Sequence, residues 1–516
     1  MDVDKLKQNA HVLIPACLAV LSSLYLLNKS KSNEKKGLKE IPFPSNSISW
    51  PLFGHLLSLG DVPSKQMAQW HKTTGPIYKI NMGNQLWIMI SDPFLAHDIF
   101  VKAGSSTSSR PYHRFTTDMY NMNDKGLVFT QYNNKWKSKR KTAISLLSPG
   151  SVDKFTDVLE VEADSLMERL GKLAQEGTLI DPFDQLQLTS MNIILTVLAA
   201  VRYDDVDHPD FVAINKYLYH AMIYAGAAGD LSCFLPSLAW TDVLTGTEKK
   251  LRKLIEEQRD PVYKKIIKNA GDSEKSSLVK DMLKMKDEGD LDDDEILVLF
   301  SDLIAAGADT VAVCLYWAFA ILSQKPDVQT KLIEELDAWK AKNPPGAVPS
   351  FHKDREELPY SICVQKEVIR FRPVTNFGIP HMTSEDVIVN DYFIPKDAVL
   401  ISSMCPMHAN ADVYDNPDQF IPERFMKNTK RMGAAANTKI EDRDHFAFGW
   451  GRRICPGIHL AEIEIFNFFV RFFSKFKMAP ELDSQGNPIP IDLDDYVDEG
   501  IIMKPVHYKV RIVPRT

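Results

Sequence analysis

The chain has 516 residues, 44% of them hydrophobic and 25% charged, an ordinary globular composition that excludes a globally disordered chain. Its 61 Lys and Arg residues face 68 Asp and Glu residues, a net charge of −7, so no basic excess marks a nucleic-acid surface. The six cysteines, Cys17, Cys233, Cys314, Cys363, Cys405 and Cys455, show neither a CxxC pair nor zinc-ligand spacing, which argues against a disulfide framework and for a reducing, cytosol-facing setting.

From Val12 to Leu27 run 16 residues without a charge. As a helix this stretch is about 24 Å long at ~1.5 Å per residue, close to the ~27 Å hydrocarbon core of the endoplasmic reticulum. A cleaved signal peptide and a buried core helix are the competing readings. The expectation is a single-pass anchor within residues 1–28, spanning about 12–27. Lys29, Lys31, Lys35, Lys36 and Lys39 follow it, whereas Lys5 and Lys7 before it are offset by Asp2 and Asp4. The basic side stays cytosolic, so the body should face the cytosol. Residues 29–54 read as a basic linker stiffened by Pro42, Pro44 and Pro51, and residues 55–516 as one catalytic domain.

Alternation over Ile77–Ile90 around Gly83-Asn84 predicts a β-hairpin. Trp136 and Arg140 stand one helical turn apart among Lys135, Lys137, Lys139 and Lys141. That basic stretch reads either as a solvated helix face or as a docking face for an acidic partner, an electron donor on the resemblance described below. The stretch Leu218–Trp240 is apolar, with Ile223, Phe234, Leu235 and Leu238 near Pro236, and on the resemblance described below it would form a greasy, membrane-facing entrance. The longest predicted helix covers about Asp292–Ser323, with Asp292, Asp293, Asp294 and Glu295 at its positive end. It contains Ala306-Gly307-Ala308-Asp309-Thr310. An interior glycine costs ~1 kcal/mol relative to alanine, which predicts a bend or the close approach of a ligand there.

Further helices are predicted over Pro326–Ala341 and Pro359–Phe371. The second puts Glu367 and Arg370 on one face. Strand-like pieces follow at Val387–Phe393 and Ala398–Ser402, with a polar surface loop over Asn428–Glu441. A last long helix is expected from Cys455-Pro456 to about Phe476, and Ile501–Val513 alternates again. The fold class is mostly α with a minor β region, in a single large domain.

Five of the cysteines have apolar neighbours; Cys455 lies in Phe448-Gly449-Trp450-Gly451-Arg452-Arg453-Ile454-Cys455-Pro456-Gly457. Proline suits the first helical position, so Cys455 is expected to cap the last helix, where the dipole and free N–H groups favour a thiolate. The glycines let backbone approach a flat ligand and the sulfur, and Arg453 offers a cation for a carboxylate.

Phe448, Gly451, Arg453, Cys455 and Gly457 match the haem-binding signature FxxGxRxCxG, and on these residues the chain resembles the cytochrome P-450 superfamily from about Pro42 onward. The resemblance implies the P-450 fold, with small β-sheets and a long helix over a haem b whose iron Cys455 ligates. It implies that Thr310 hydrogen-bonds dioxygen and Asp309 relays protons. Trp136 and Arg140 would reach one haem propionate and His381 the other. Glu367 and Arg370 would join Arg424, in Pro422-Glu423-Arg424-Phe425, in a structural charge network. Substrate contacts would come from Tyr112–Val128, Leu218–Trp240, Ala305–Ala306 and Val374–Gly378.

The activity implied is hydroxylation of a lipophilic molecule, such as a steroid, terpenoid or other secondary metabolite or xenobiotic. NADPH-cytochrome P-450 reductase would supply the electrons, with cytochrome b5 as a further candidate donor, at the endoplasmic reticulum membrane. The texture around Gly378–Ser384 and Tyr392–Pro395 resembles fungal members, and the helix motif lacks the histidine variant of sterol 14-demethylases. A reductase-independent isomerase or dehydratase and a non-catalytic haem sensor are the alternatives; retention of Asp309 and Thr310 argues for the oxygenase.

Overall fold

A hairpin and a succession of amphipathic helices make up most of the chain, in the order that the hydrophobic periodicity predicts. The structure is a computed structural model and describes residues 37–175, 178–226 and 230–515. The expected anchor, and the linker as far as Lys36, lie outside the described residues.

After helix α1 (Pro63–Thr74) come strands β1 (Ile77–Met82) and β2 (Gln85–Ile90), antiparallel in the register Ile77↔Ile90. Helices α2 (Asn134–Leu146), α3 (Thr156–Gln175), α4 (Phe183–Ala199), α5 (Pro209–Ala225), α6 (Asp260–Asp272) and α7 (Leu278–Asp287) follow. Next are α8 (Asp293–Leu322), α9 (Pro326–Lys340) and α10 (Pro359–Phe371). Strands β3 (His381–Met382), β4 (Val387–Val389), β5 (Tyr392–Ile394) and β6 (Val399–Ser402) precede α11 (Ile458–Lys475). The chain closes with β7 (Phe476–Pro480), β8 (Tyr496–Asp498), β9 (Met503–Pro505) and β10 (Val510–Pro514).

Helix α8 is the axis of the fold. Asp292 caps it by accepting from the Glu295 N–H at 2.8 Å, while Glu295 accepts from the Asp292 N–H at 3.0 Å, a reciprocal box that fixes the start. Beyond that turn nearly every side chain is buried, as an all-round apolar helix requires. Helix α4 packs against it more extensively than any other element. The main sheet has the order β1-β2-β6-β3, with β6 parallel to β2 and His381 opposite Leu400.

Four expectations change. Val387–Phe393 is a hairpin rather than one strand, because Asn390 and Asp391 adopt φ of 48° and 66° and turn the chain between β4 and β5. The loop 428–441 contains the short helix Met432–Ala436, tied down where the Met432 N–H donates to Glu462 at 3.0 Å. Helix α8 is unbroken at Gly307. A Cβ there would stand 2.9 Å from Ile194 Cγ1, so the glycine admits α4 rather than a bend. The last helix begins at Ile458, three residues after Cys455, which therefore lies in the loop that precedes it.

Candidate active site

Beside α8 lies a cavity of about 390 Å³ with mostly apolar walls. All four expected substrate regions reach it, through Phe115 and Val128, Ala221 and Met222, Ala305 and Ala306, and Val374 and Phe377. Phe234 and Leu235 do not. They pack with Trp87 and Met82 against the hairpin, because the Asn84 N–H holds the Phe234 carbonyl at 2.8 Å. Ile193 and Ile194 of α4 and Ile501 and Ile502 of the C-terminal segment supply walls that the sequence did not single out.

Cys455 lines the cavity from the loop 446–457. That loop folds on itself: the Cys455 N–H donates to the Phe448 carbonyl at 2.9 Å and the Arg453 N–H to Trp450 at 3.1 Å. Gly449 at φ 77° and Gly451 at φ 52° make its turns. A Cβ on Gly451 would sit 2.4 Å from the Phe100 carbonyl oxygen, so this glycine serves backbone packing. Phe448 lines the cavity, its ring 5.5 Å from that of His445. A Cβ on Gly457 would be 3.9 Å from the Cys455 sulfur.

The N–H of Gly457, at the N-cap of the last helix, favours a thiolate at Cys455, as the Cys-Pro sequence leads one to expect. Burial pushes the Cys455 thiol above its ordinary value, against the weaker opposing pulls of the Gly457 N–H and Arg140. A cation at the sulfur would reverse that balance.

Three guanidinium groups, Arg110, Arg140 and Arg453, line the same cavity, and among the described residues no carboxylate pairs with any of them. Arg110 donates to the carbonyls of Val128 at 2.9 Å, Ile379 at 2.8 Å and Pro380 at 2.7 Å. Arg453 donates to those of Ser108 at 2.9 Å, Leu127 at 3.2 Å and Thr130 at 2.6 Å, and Arg140 to that of Ile454. Burial, then Arg140, pulls Arg110 down to about 9, and burial, then Arg110 and Arg140, pulls Arg453 down to about 7. Guanidinium keeps its proton in proteins, so these buried, mutually repelling cations would favour an anion between them.

His381 lines the cavity too, its Nδ1 2.9 Å from the Thr107 carbonyl and its ring against Phe100. Burial, then Arg110, holds it well below the ordinary histidine value. Trp136 departs from expectation: its indole N–H is donated to the Leu127 carbonyl at 3.0 Å, and its ring lies 4.1 Å from the Arg453 guanidinium. It positions Arg453 through its face instead of offering a donor. The sequence missed Arg110, which stands alone before Pro111 with no periodic partner.

A flat dianion with apolar edges fits this donor set: Cys455 for a metal, Arg110, Arg140 and Arg453 for two carboxylates, and apolar walls around them. A model of the cytochrome P450 family matches residues 44–512. The chain belongs to the cytochrome P450 family. It is a haem-dependent monooxygenase, and the family implies a lipophilic substrate and dioxygen.

The P450 is 28% identical to cytochrome P450 monooxygenase yanC of Aspergillus niger over 490 residues, 90% of this chain and 88% of that protein. It is 24% identical to 3-hydroxyphenylacetate 6-hydroxylase of Emericella nidulans, over 90% of this chain and 87% of that one. It is 26% identical to flavonoid 3'-monooxygenase of Arabidopsis thaliana, over 87% of this chain and 86% of that one. A zebrafish cytochrome P450 structure with progesterone superposes with a TM-score of 0.72 at 24% identity, covering 88% of this chain and 99% of that chain, and shares the fold.

On α8, Ala306, Gly307 and Thr310 face the cavity, and the Thr310 hydroxyl donates to the Ala306 carbonyl at 2.6 Å. Asp309 does not share that wall. It borders a second cavity and accepts from Gln187 Nε2 at 2.7 Å. Burial raises its carboxyl above the ordinary value. Successive helical residues point ~100° apart, so α8 separates the acid from the hydroxyl.

Glu367 accepts from Arg370 at 2.7 and 2.8 Å and from Arg424 Nε at 3.1 and 3.2 Å. Arg370 also donates to the carbonyls of His408, Pro417 and Gln419. Glu367 and Arg370 are almost fully buried, and the network ties α10 to the segment 408–425. The basic stretch is less exposed than its sequence implies: Lys139 is buried against Glu295 at 3.0 Å and Arg140 faces the cavity, which leaves Lys135, Lys137 and Lys141 outside.

Proposed function

We propose that this P450 hydroxylates a largely apolar small molecule at the endoplasmic reticulum membrane, with electrons from NADPH through a flavoprotein reductase and cytochrome b5 as a further candidate donor. The observation that carries the reading is Cys455 and Thr310 opening into one apolar cavity. Haem bound through Cys455 supplies the oxygen chemistry. Arg110, Arg140, Arg453 and His381 would hold its propionates. Phe115, Val128, Met222 and Phe377 exclude water and orient the substrate. Thr310 releases its hydroxyl from Ala306 to offer a proton, and Asp309 restores it.

The membrane reading is supported by exposed apolar residues on both sides of the β1–β2 turn. Ile48, Leu52 and Leu57 flank one side, and Leu231, Trp240, Val243 and Leu244 the other, with Val243 90% exposed. Phe53 and Phe234 both hydrogen-bond that turn through their carbonyls, so the two groups adjoin. The proposed single-pass anchor over residues 12–27, with the body on the cytosolic side, would bring this surface to the bilayer.

The relatives are named for a phenylacetate and a flavonoid, and the zebrafish structure for progesterone. A panel of progesterone, 3-hydroxyphenylacetate and a flavonoid is therefore the first test. The holoenzyme reconstituted with reductase and NADPH should turn over at least one, consuming dioxygen. Turnover that persists without reductase would favour the isomerase or dehydratase. Cys455→Ala should abolish both turnover and the thiolate-type carbon monoxide band; retention of either would overturn the site.

A further inference from the structure

The second cavity, about 440 Å³, adjoins the substrate cavity, and Met222 and Ile502 line both. Asp309, Gln187, Asn215, Glu499 and Lys504 border it, and it meets solvent at Lys216 and Tyr219, whose side chains are exposed. Its groups form an ordered chain. Asn215 Nδ2 donates to Gln187 Oε1 at 2.9 Å, and Gln187 Nε2 donates to Asp309 Oδ1 at 2.7 Å. No other side chain among the described residues hydrogen-bonds Asp309. Asn215 Oδ1 is buried without a partner. Glu499 and Lys504 neutralise each other at 2.6 Å on the opposite wall.

Gln187 and Ile194 stand seven residues apart on α4, and both meet α8, at Asp309 and at Gly307. The close helix contact that the glycine permits is therefore also what brings Gln187 within reach of Asp309. Packing and hydrogen bonding set one distance together.

Resting on the monooxygenase reading, we propose that Gln187, held by Asn215, is a positioning residue that aims Asp309 into this second cavity, whose water is the source of the protons consumed in turnover. The balance is that of any monooxygenation. One oxygen atom of dioxygen enters a C–H bond of the substrate. The other leaves as water, taking two protons and the two electrons that the flavoprotein reductase delivers. An amide has no proton to lose at neutral pH, so Gln187 does not carry the proton. It fixes the carboxyl that does, in the second cavity and one helical position from Thr310.

The test compares Gln187→Leu and Gln187→Glu with Asp309→Asn and Thr310→Ala in the full-length holoenzyme. Gln187→Glu keeps the shape but replaces the neutral amide donor with a second carboxyl that must share a proton with Asp309 and holds it protonated to higher pH. The assay uses the member of the progesterone, 3-hydroxyphenylacetate and flavonoid panel that the parent turns over fastest. Both Gln187 variants should lower product per NADPH about five- to tenfold, a fraction of the ~10²–10⁴ that a general acid contributes. They should raise the solvent deuterium isotope effect and leave KM and the carbon monoxide band unchanged. Without turnover, infrared spectroscopy reads the same geometry: the Asp309 carboxyl band, assigned by its loss in Asp309→Asn, should shift in both Gln187 variants.

Normal coupling in Gln187→Glu, or an unshifted Asp309 band, overturns the positioning role. Normal coupling in Asp309→Asn and Thr310→Ala would instead overturn the proton-delivery reading beneath it. Loss of the carbon monoxide band in Gln187→Leu alone would mark that variant as misfolded, and Gln187→Glu then decides.

Discussion

Glu464 of α11 offers a sharp test of how this core is balanced. The carboxyl lines the substrate cavity and is 6% exposed, with the Ser190 hydroxyl as its hydrogen-bond donor. Burial pushes it up to about 8, against the opposing pull of Ser190. An unfolded glutamate titrates near ~4.3. Between those values the folded chain keeps a proton that the unfolded chain has lost, so the glutamate's contribution to stability falls as pH rises, by about 1.4 kcal/mol per unit. The deficit is fully absent below the unfolded value and saturates above about 8. Glu464→Gln keeps the shape and an acceptor for Ser190 but does not titrate. Its advantage over the parent should therefore grow by roughly 2.7 kcal/mol between pH 5.5 and pH 7.5. At ~2.1 cal/mol/K of unfolding entropy per residue, that is a shift of about 3 °C for a domain this large. Thermal unfolding of the full-length holoenzyme, parent and variant, at the two pH values in one detergent measures it. An equal Tm difference at both values would refute the reasoning, because the carboxyl would then ionise alike in the folded and unfolded chains.

Gly307→Ala sets a helix-propensity gain of ~1 kcal/mol against overpacking on Ile194, worth ~1–3 kcal/mol. Net loss of stability is expected, and in a double-mutant cycle by denaturant unfolding Ile194→Ala should offset it; purely additive effects would contradict the close contact. Arg370→Ala should cost about 3–5 kcal/mol by leaving Glu367 under-paired in the core. Arg370→Lys should not rescue the denaturation midpoint, since one ammonium cannot serve a carboxylate and three carbonyls. Arg110→Leu should speed haem transfer to apomyoglobin by about tenfold, the ~1.4 kcal/mol of one charge-assisted hydrogen bond; an unchanged rate would mean that Arg110 holds no propionate.

Local chemistry determined much of this protein from the sequence alone. The acidic cluster Asp292–Glu295, Pro326 and Pro359 at helix starts and the Gly83-Asn84 turn act over a few residues, so their positions were legible in the chain. The Cys455 segment was legible for the same reason: its glycines and arginines are contiguous. Tertiary structure alone decided what depends on residues far apart. Gly307 is a glycine because Ile194 comes within 2.9 Å of where its Cβ would be. Arg110 joins Arg140 and Arg453 only once the segment before α2 folds over the Cys455 loop. Asp309 and Thr310, adjacent in the chain, line different cavities, because a helix turns each successive side chain ~100° onward. The sequence placed the acid beside the hydroxyl; the packing of α4 against α8 determined that Gln187 holds that acid toward a different cavity.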